Sequence, residues 1–351
     1  MKKLLLLIAI VSIGAAAYAQ EADKTKFELH PGTLIQAYSG YYNIGDAANE
    51  QIGFGVKRLR IYAKPTITEK LSGYIQIEAA QSMSNLTVED TMKTSDFLSG
   101  FKLLHANIDY KLNDQYTITV GKFIGAGMMG AGLLSSKNLD LVDRPEAAVT
   151  WAKETAGTDF ADYGAEVTMK QDFGLTSKLW IHNGSVNKNI TSGKGSANKS
   201  VAVDFWASYK PSFAPMAEFG GSVGKGNQYI VNQFNYTAFL YLSPAPFRIK
   251  TEYASVENKD FDRTFNGFYV LGAYAVTPNI EVMGMYDWVD KNADVDKDEV
   301  VNYTFGASYY FFPKQKSTSK ITAGYTIKTE DESVKVDNDM FIIQYQLDLN
   351  L

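Results

Sequence analysis

The chain has 351 residues, of which 45% are hydrophobic, 21% charged and 13% aromatic, with 28 glycines, no cysteine and a formal net charge of −5. That balance excludes a disordered chain, and the length exceeds that of a single small module. Lack of cysteine excludes disulfide scaffolds, thiol nucleophiles and thiolate-held zinc or iron–sulfur centres. A net acidic chain with no basic cluster interleaved with aromatics argues against a nucleic-acid partner.

At the N-terminus, Lys2 and Lys3 precede an apolar run from Leu4 to Ala17, and Ala17-Tyr18-Ala19 places small residues at cleavage spacing. This is the pattern of a secretory signal peptide over residues 1–19, leaving 20–351 as a single domain. An anchor helix fits less well, because the apolar run is short and the small residues follow it directly. Beyond the leader no apolar run approaches the roughly 18 to 20 residues that a membrane-crossing helix needs, which excludes a polytopic helical protein.

The remainder is a succession of segments, each about ten residues long, with the two-residue period of strands whose faces meet different surroundings. In chain order, Leu59, Ile61 and Ala63 oppose Arg58, Arg60, Tyr62 and Lys64, and Leu104, Ala106, Ile108 and Tyr110 oppose His105, Asn107, Asp109 and Lys111. Val301, Tyr303, Phe305, Ala307 and Tyr309 oppose Asn302, Thr304, Gly306 and Ser308. At the end, Phe341, Ile343, Tyr345, Leu347, Leu349 and Leu351 alternate with Gln344, Gln346, Asp348 and Asn350. Such a terminus is an aggregation hazard in water and a requirement in lipid.

Sixteen strands are predicted, starting near Thr33, Val56, Leu71, Leu103, Tyr116, Asp162, Thr176, Val201, Glu218, Asn235, Phe247, Phe268, Ile280, Val301, Ile321 and Met340. Their connections alternate between short turns, such as 66–70 and 112–115, and long polar loops, such as 82–100, 124–160, 184–199, 291–299 and 329–337. Short turns on one side, long loops on the other and both termini on the short side describe an all-β, antiparallel transmembrane barrel in an outer membrane. A secreted sandwich or solenoid would also alternate, but nothing in the chain could cover an apolar face sixteen strands wide. Tyrosines near strand ends, among them Tyr38, Tyr110, Tyr116, Tyr209, Tyr309, Tyr310 and Tyr345, fit aromatic girdles at the lipid boundaries.

A barrel of this width leaves an aqueous lumen, so function rests on what narrows and charges it. The connection from Ile124 to Phe160, third of the long ones, is glycine-rich at its start and less polar than an exposed loop, and it is expected to fold inward as the constriction. Its charged candidates are Lys137, Asp140, Asp143 and Glu146, with Arg144 beside them. On the strands, Arg58, Arg60 and Lys64 form a basic row on one face of a single strand, and rows of one sign bias which ion enters a pore.

The run Lys57-Arg58-Leu59-Arg60-Ile61, then Leu71 to Glu78, resembles the second and third strands of phosphate-selective porins of the O and P type. Tyr116 to Phe123, Leu134-Ser135-Ser136, Asp143-Arg144-Pro145, Asn183-Gly184-Ser185 and Thr251-Glu252-Tyr253 continue the resemblance in order. It implies a 16-stranded homotrimeric porin with an inward third loop, and basic lumen residues that guide anions such as phosphate, here Arg58, Arg60 and Arg144. Where that family has Pro-Phe after the GKF-like stretch, this chain has Ile124-Gly125-Ala126-Gly127, and it ends in Leu351 rather than Phe.

Other signals carry less. The loop from Asp290 to Glu299 spaces oxygen ligands as an EF-hand does, but Val295 stands where the glycine is required, and it reads as a solvated acidic loop. His30, His105 and His182 belong to no nucleophile motif, so neither catalysis nor a cofactor is expected. Asn189-Ile190-Thr191 and Asn235-Tyr236-Thr237 match a glycosylation sequon that is common by chance. The expected function is passive diffusion of small hydrophilic solutes, with a preference for anions. The alternative is a closed barrel that binds surfaces through its long loops.

Overall fold

The computed structural model describes residues 27–42, 51–79, 101–155, 161–184, 201–226, 232–259, 262–330 and 339–350. The expected leader, most of the loops 82–100, 184–199 and 329–337, and the sequon at Asn189 lie outside them.

Sixteen strands form: β1 (Glu28–Tyr42), β2 (Gln51–Thr66), β3 (Leu71–Ala79), β4 (Phe101–Lys111), β5 (Tyr116–Phe123), β6 (Asp162–Lys170), β7 (Leu175–His182) and β8 (Ala202–Tyr209). They continue as β9 (Ala217–Gly226), β10 (Gln233–Leu242), β11 (Phe247–Asn258), β12 (Arg263–Ala275), β13 (Ile280–Asp290), β14 (Glu299–Tyr310), β15 (Ser319–Glu330) and β16 (Met340–Asn350). Each pairs antiparallel with its sequence neighbours, and β1 pairs with β16 from Gly32 opposite Asn350 to Tyr42 opposite Met340, closing the barrel. Closure leaves no unpaired edge, which lipid requires.

The short turns are fixed by their own side chains. Thr68 Oγ1 accepts from the backbone N–H of Lys70 and Leu71, Asn113 Oδ1 from Gln115 and Tyr116, and Thr277 Oγ1 from Asn279 and Ile280. Large apolar residues such as Ile61, Ile108, Val120, Phe305 and Ile343 stand exposed on the outer wall. Inside, polar residues pair across strands: Gln36 with Gln346 at 2.7 Å, Ser308 with Thr322 at 2.8 Å and Thr304 with Thr326 at 3.0 Å. This is the inverse of a water-soluble protein, as the alternation predicts.

The structure departs from strict alternation in three places. A bulge between β1 and β2 leaves Gln36 opposite Arg58 and Ala37 opposite Val56, so Lys57 is the extra residue and turns inward with its neighbour. A second bulge, between β3 and β4, places Gln76 opposite His105 and Ile77 opposite Leu103. Leu104 therefore lines the lumen and Leu103 faces out, which corrects the predicted apolar face of that strand. The inner wall of β11–β13 is apolar, carrying Val256, Phe265, Leu271, Met283, Met285 and Val289, because the inward loop covers it. Two predicted girdle tyrosines also face inward: Tyr38 packs on Val142, and the Tyr310 hydroxyl donates to Glu281 at 2.7 Å.

Candidate functional site

Between β5 and β6 the chain crosses the lumen. Gly127, at φ +152°, makes the entry, and a Cβ there would lie 2.3 Å from the Trp151 indole. Two short helical turns (Met129–Leu133 and Ser136–Asn138) lead to helix α1 (Glu146–Thr155). The helix starts against the opposite wall, where the Asp287 carboxylate accepts from the backbone N–H groups of Glu146 and Ala147. A wall residue thus satisfies donors that a helix start leaves open. The buried face of α1, Ala147, Ala148, Trp151 and Ala152, packs on Phe265, Tyr269, Met283 and Met285. Gly306 on the wall makes room for the loop, since a Cβ there would lie 2.5 Å from Leu141.

Polar tethers complete the docking. Asp140 accepts from Lys250 at 2.6 Å and Arg248 at 2.5 Å, Lys137 pairs with Asp348 at 2.7 Å, and Lys57 pairs with Asp143. Glu252 accepts from the Gly130 N–H at 2.8 Å, and Arg60 donates to Ser136 Oγ at 3.0 Å. Inside the loop, Arg144 donates to the carbonyls of Gly130 at 2.6 Å and Leu134 at 3.0 Å and to Ser136 Oγ at 3.3 Å. Burial alone would raise the Asp140 carboxyl, but Lys250 and Arg248 outweigh it and hold it below its usual range. At Asp143, burial is likewise outweighed, chiefly by Lys57. Burial, then Arg58 and Arg60, push the Arg144 guanidinium down.

Against β2–β4 the loop leaves open a cavity of about 770 Å³, reaching toward the short-turn rim. Its cationic lining is Arg58, Arg60, Lys64, Lys102, Lys137 and Arg144, against the carboxylates Glu78, Asp109 and Asp348. Two of those carboxylates are paired, Glu78 with Arg60 at 2.5 Å and Asp348 with Lys137. The excess is cationic, in a chain whose net charge is −5.

The four residues of the predicted basic guidance set, Arg58, Arg60, Lys64 and Arg144, are thus brought to one cavity, joined by Lys137 from the loop. The loop's acidic residues are placed differently. Asp140 and Asp143 are taken up by tethers, and Glu146 begins α1 with its carboxylate near Lys153 at 3.9 Å. Sequence reasoning missed Lys57, turned in by a bulge that alternation cannot foresee, and Lys102 and Lys320, each just ahead of its predicted strand start. Lys320 donates to the Leu139 carbonyl, pinning the loop from β15. Of the histidines, His105 lines the cavity, His30 lies near Glu28 at 3.6 Å, and His182 bridges Asp162 at 2.8 Å and Asp204 at 2.6 Å. The loop after β13 is held through Asn292, whose Oδ1 accepts from the Thr264 N–H at 3.2 Å.

Residues 33–229, more than half of the chain, match the family model for phosphate-selective porin O and P. The chain belongs to that family. Among solved structures, the anion-selective porin from Comamonas acidovorans superposes with a TM-score of 0.67 at 10% identity, covering 93% of this chain and 100% of that one. Salmonella typhi OmpF, in complex with daunomycin, gives 0.64 at 11% identity over 93% and 98% of the two chains. Pseudomonas putida OprB gives 0.64 at 8% over 96% and 97%. These likenesses are of fold. A curated protein, mannosylglucosyl-3-phosphoglycerate synthase of Petrotoga mobilis, is 25% identical over 231 residues, 62% of this chain but only 41% of that protein's length. Family and fold are those of an outer-membrane channel, not of an enzyme.

Proposed function

We propose that this porin lets small hydrophilic solutes diffuse through the outer membrane with a preference for anions, steered by Arg58, Arg60, Lys64 and Arg144. The observation that carries this reading is the sign of the passage: six cationic side chains against three carboxylates around one cavity, within an acidic chain. The guanidinium groups of Arg58 and Arg60 suit it, since a planar fork of donors matches an oxyanion, while Arg144, held on the loop carbonyls, adds its charge to the field. Phosphate is the anion that the family description names, and a solved relative in fold is described as anion-selective. A homotrimer, reached after removal of residues 1–19, is part of the same reading, and one OmpT of similar fold is described in a trimer form.

Single-channel recording in a planar bilayer under a salt gradient tests it. Stepwise openings with the reversal potential on the anion side are expected. Openings without that offset would reduce the protein to a general porin, and a folded barrel without conductance would favour the closed, surface-binding alternative.

A further inference from the structure

The register sets the β2–β4 wall of the passage in levels. Arg60, Glu78 and Lys102 share one level, and Tyr62, Gln76 and His105 the next toward the short turns. Tyr74 and Asn107 follow, with Lys64 beside them. Each level is two residues, about 6.6 Å, from the next. Three rings on three adjacent strands therefore touch just below the arginines: Tyr62 and Tyr74 at 6.1 Å between centroids, Tyr74 and His105 at 5.4 Å. Lys64 Nζ lies 5.7 Å and 5.9 Å from the two tyrosine centroids. Tyr62 is buried at the back, its hydroxyl held between Asp348 at 2.9 Å and Asn350 at 2.7 Å, while Tyr74 and His105 stand half-exposed toward the cavity.

An inorganic oxyanion accepts hydrogen bonds from the edges of such side chains but makes no use of their apolar faces. We propose that the passage holds a subsite for phosphorylated sugars, with the sugar ring against Tyr74 and His105 and the phosphate at Arg60, one level above His105. The C–H face of a sugar ring is the complement of an aromatic face. Hydroxyls at the ring's edge meet Gln76, Asn107 and Asp109, which an aromatic acid would desolvate without replacing their hydrogen bonds. The spacing of about 6.6 Å between the His105 and Arg60 levels suits the reach from a hexose ring to the phosphate on its exocyclic carbon. A cavity of about 770 Å³ has room for such a molecule. This inference rests on the anion-preferring reading and adds a substrate class to it.

The test is the block of chloride current through the full-length porin in a planar bilayer, titrated with glucose 6-phosphate, inorganic phosphate and glucose. Glucose 6-phosphate should reach half-block at a concentration about tenfold below inorganic phosphate, a ratio within the range of one good stacking contact. Tyr74→Leu, which keeps bulk but removes the flat face, should bring the two half-block values together, and His105→Leu should move them the same way if either variant assembles. Equal half-block values for the two phosphates in the unaltered porin, or a Tyr74→Leu porin that keeps the tenfold gap, would overturn the subsite. Anion-side reversal with equal half-blocks sinks the subsite alone. Reversal on the cation side sinks the anion-preferring reading, and the subsite with it.

Discussion

Lys57, Arg58 and Arg60 are three cations within four residues, and their partners give them different tasks. Lys57 is committed to Asp143 and the Val142 carbonyl, so it holds the loop. Arg58 donates to the neutral Gln36 at 2.8 Å, whereas Arg60 is paired with the Glu78 carboxylate. Removing Arg58 takes away one positive charge and leaves a neutral amide behind. Removing Arg60 does that and also leaves a half-desolvated carboxylate facing the passage. Arg60→Gln is therefore expected to lower the anion-to-cation permeability ratio more than Arg58→Gln, roughly twofold to threefold at low salt, where screening is weak. The double variant Arg60→Gln with Glu78→Gln should recover most of that loss. Reversal potentials in a KCl gradient read all three, and an Arg60→Gln shift that Glu78→Gln does not rescue would deny that the pair sets the field.

The inward loop is an element held by charge at one end and apolar packing at the other. Asp140 and Asp143 both lie below the ordinary carboxylate value of 3.8 when docked, because cations outweigh burial. A lowered docked pKa means that the tether's stability is full above the undocked value and is lost as pH falls through the docked one. Loop noise in single-channel records should therefore stay low from neutral pH down to about pH 4 and rise only below it. Asp140→Asn should bring that noise to neutral pH, because Lys250 and Arg248 would then face an amide. Noise that sets in near pH 6 to 7 in the unaltered protein would assign the tether to other groups. The existence, order and inward fold of this element were legible in the sequence, since a long, glycine-led, apolar connection has few other places to go. Its docking was not. The apolar inner wall of Phe265, Met283 and Met285 reads in sequence as ordinary strand filling, and only the closed ring brings residues more than a hundred positions away against Trp151. The bulge at Lys57 was equally hidden, for a two-residue period carries no mark of the residue that breaks it.

On the scale of the whole molecule, the barrel is a two-solvent object, and its outer wall shows where each solvent lies. Aromatic contacts cluster at both ends: Phe247 with Tyr274 and Tyr309 with Phe311 toward the short turns, Phe268 with Trp288 and Tyr286 with Tyr303 toward the long loops. Between them the outward residues are mostly apolar, as at Phe305, near the middle of β14 and 57% exposed, with Tyr325 opposite it on β15. If that band meets hydrocarbon, a charge placed there pays the transfer cost of the bilayer midplane. Phe305→Arg should then lose about 2–4 kcal/mol of unfolding free energy in lipid vesicles, read as a lower urea midpoint for the heat-modifiable gel shift. Phe305→Leu, similar in hydrophobicity, should lose less than about 1.5 kcal/mol. A soluble barrel would tolerate an exposed arginine at this position within about 0.5 kcal/mol. Near-equal midpoints for Phe305→Arg and Phe305→Leu would therefore take the outer wall out of lipid, and with it the channel that the wall encloses.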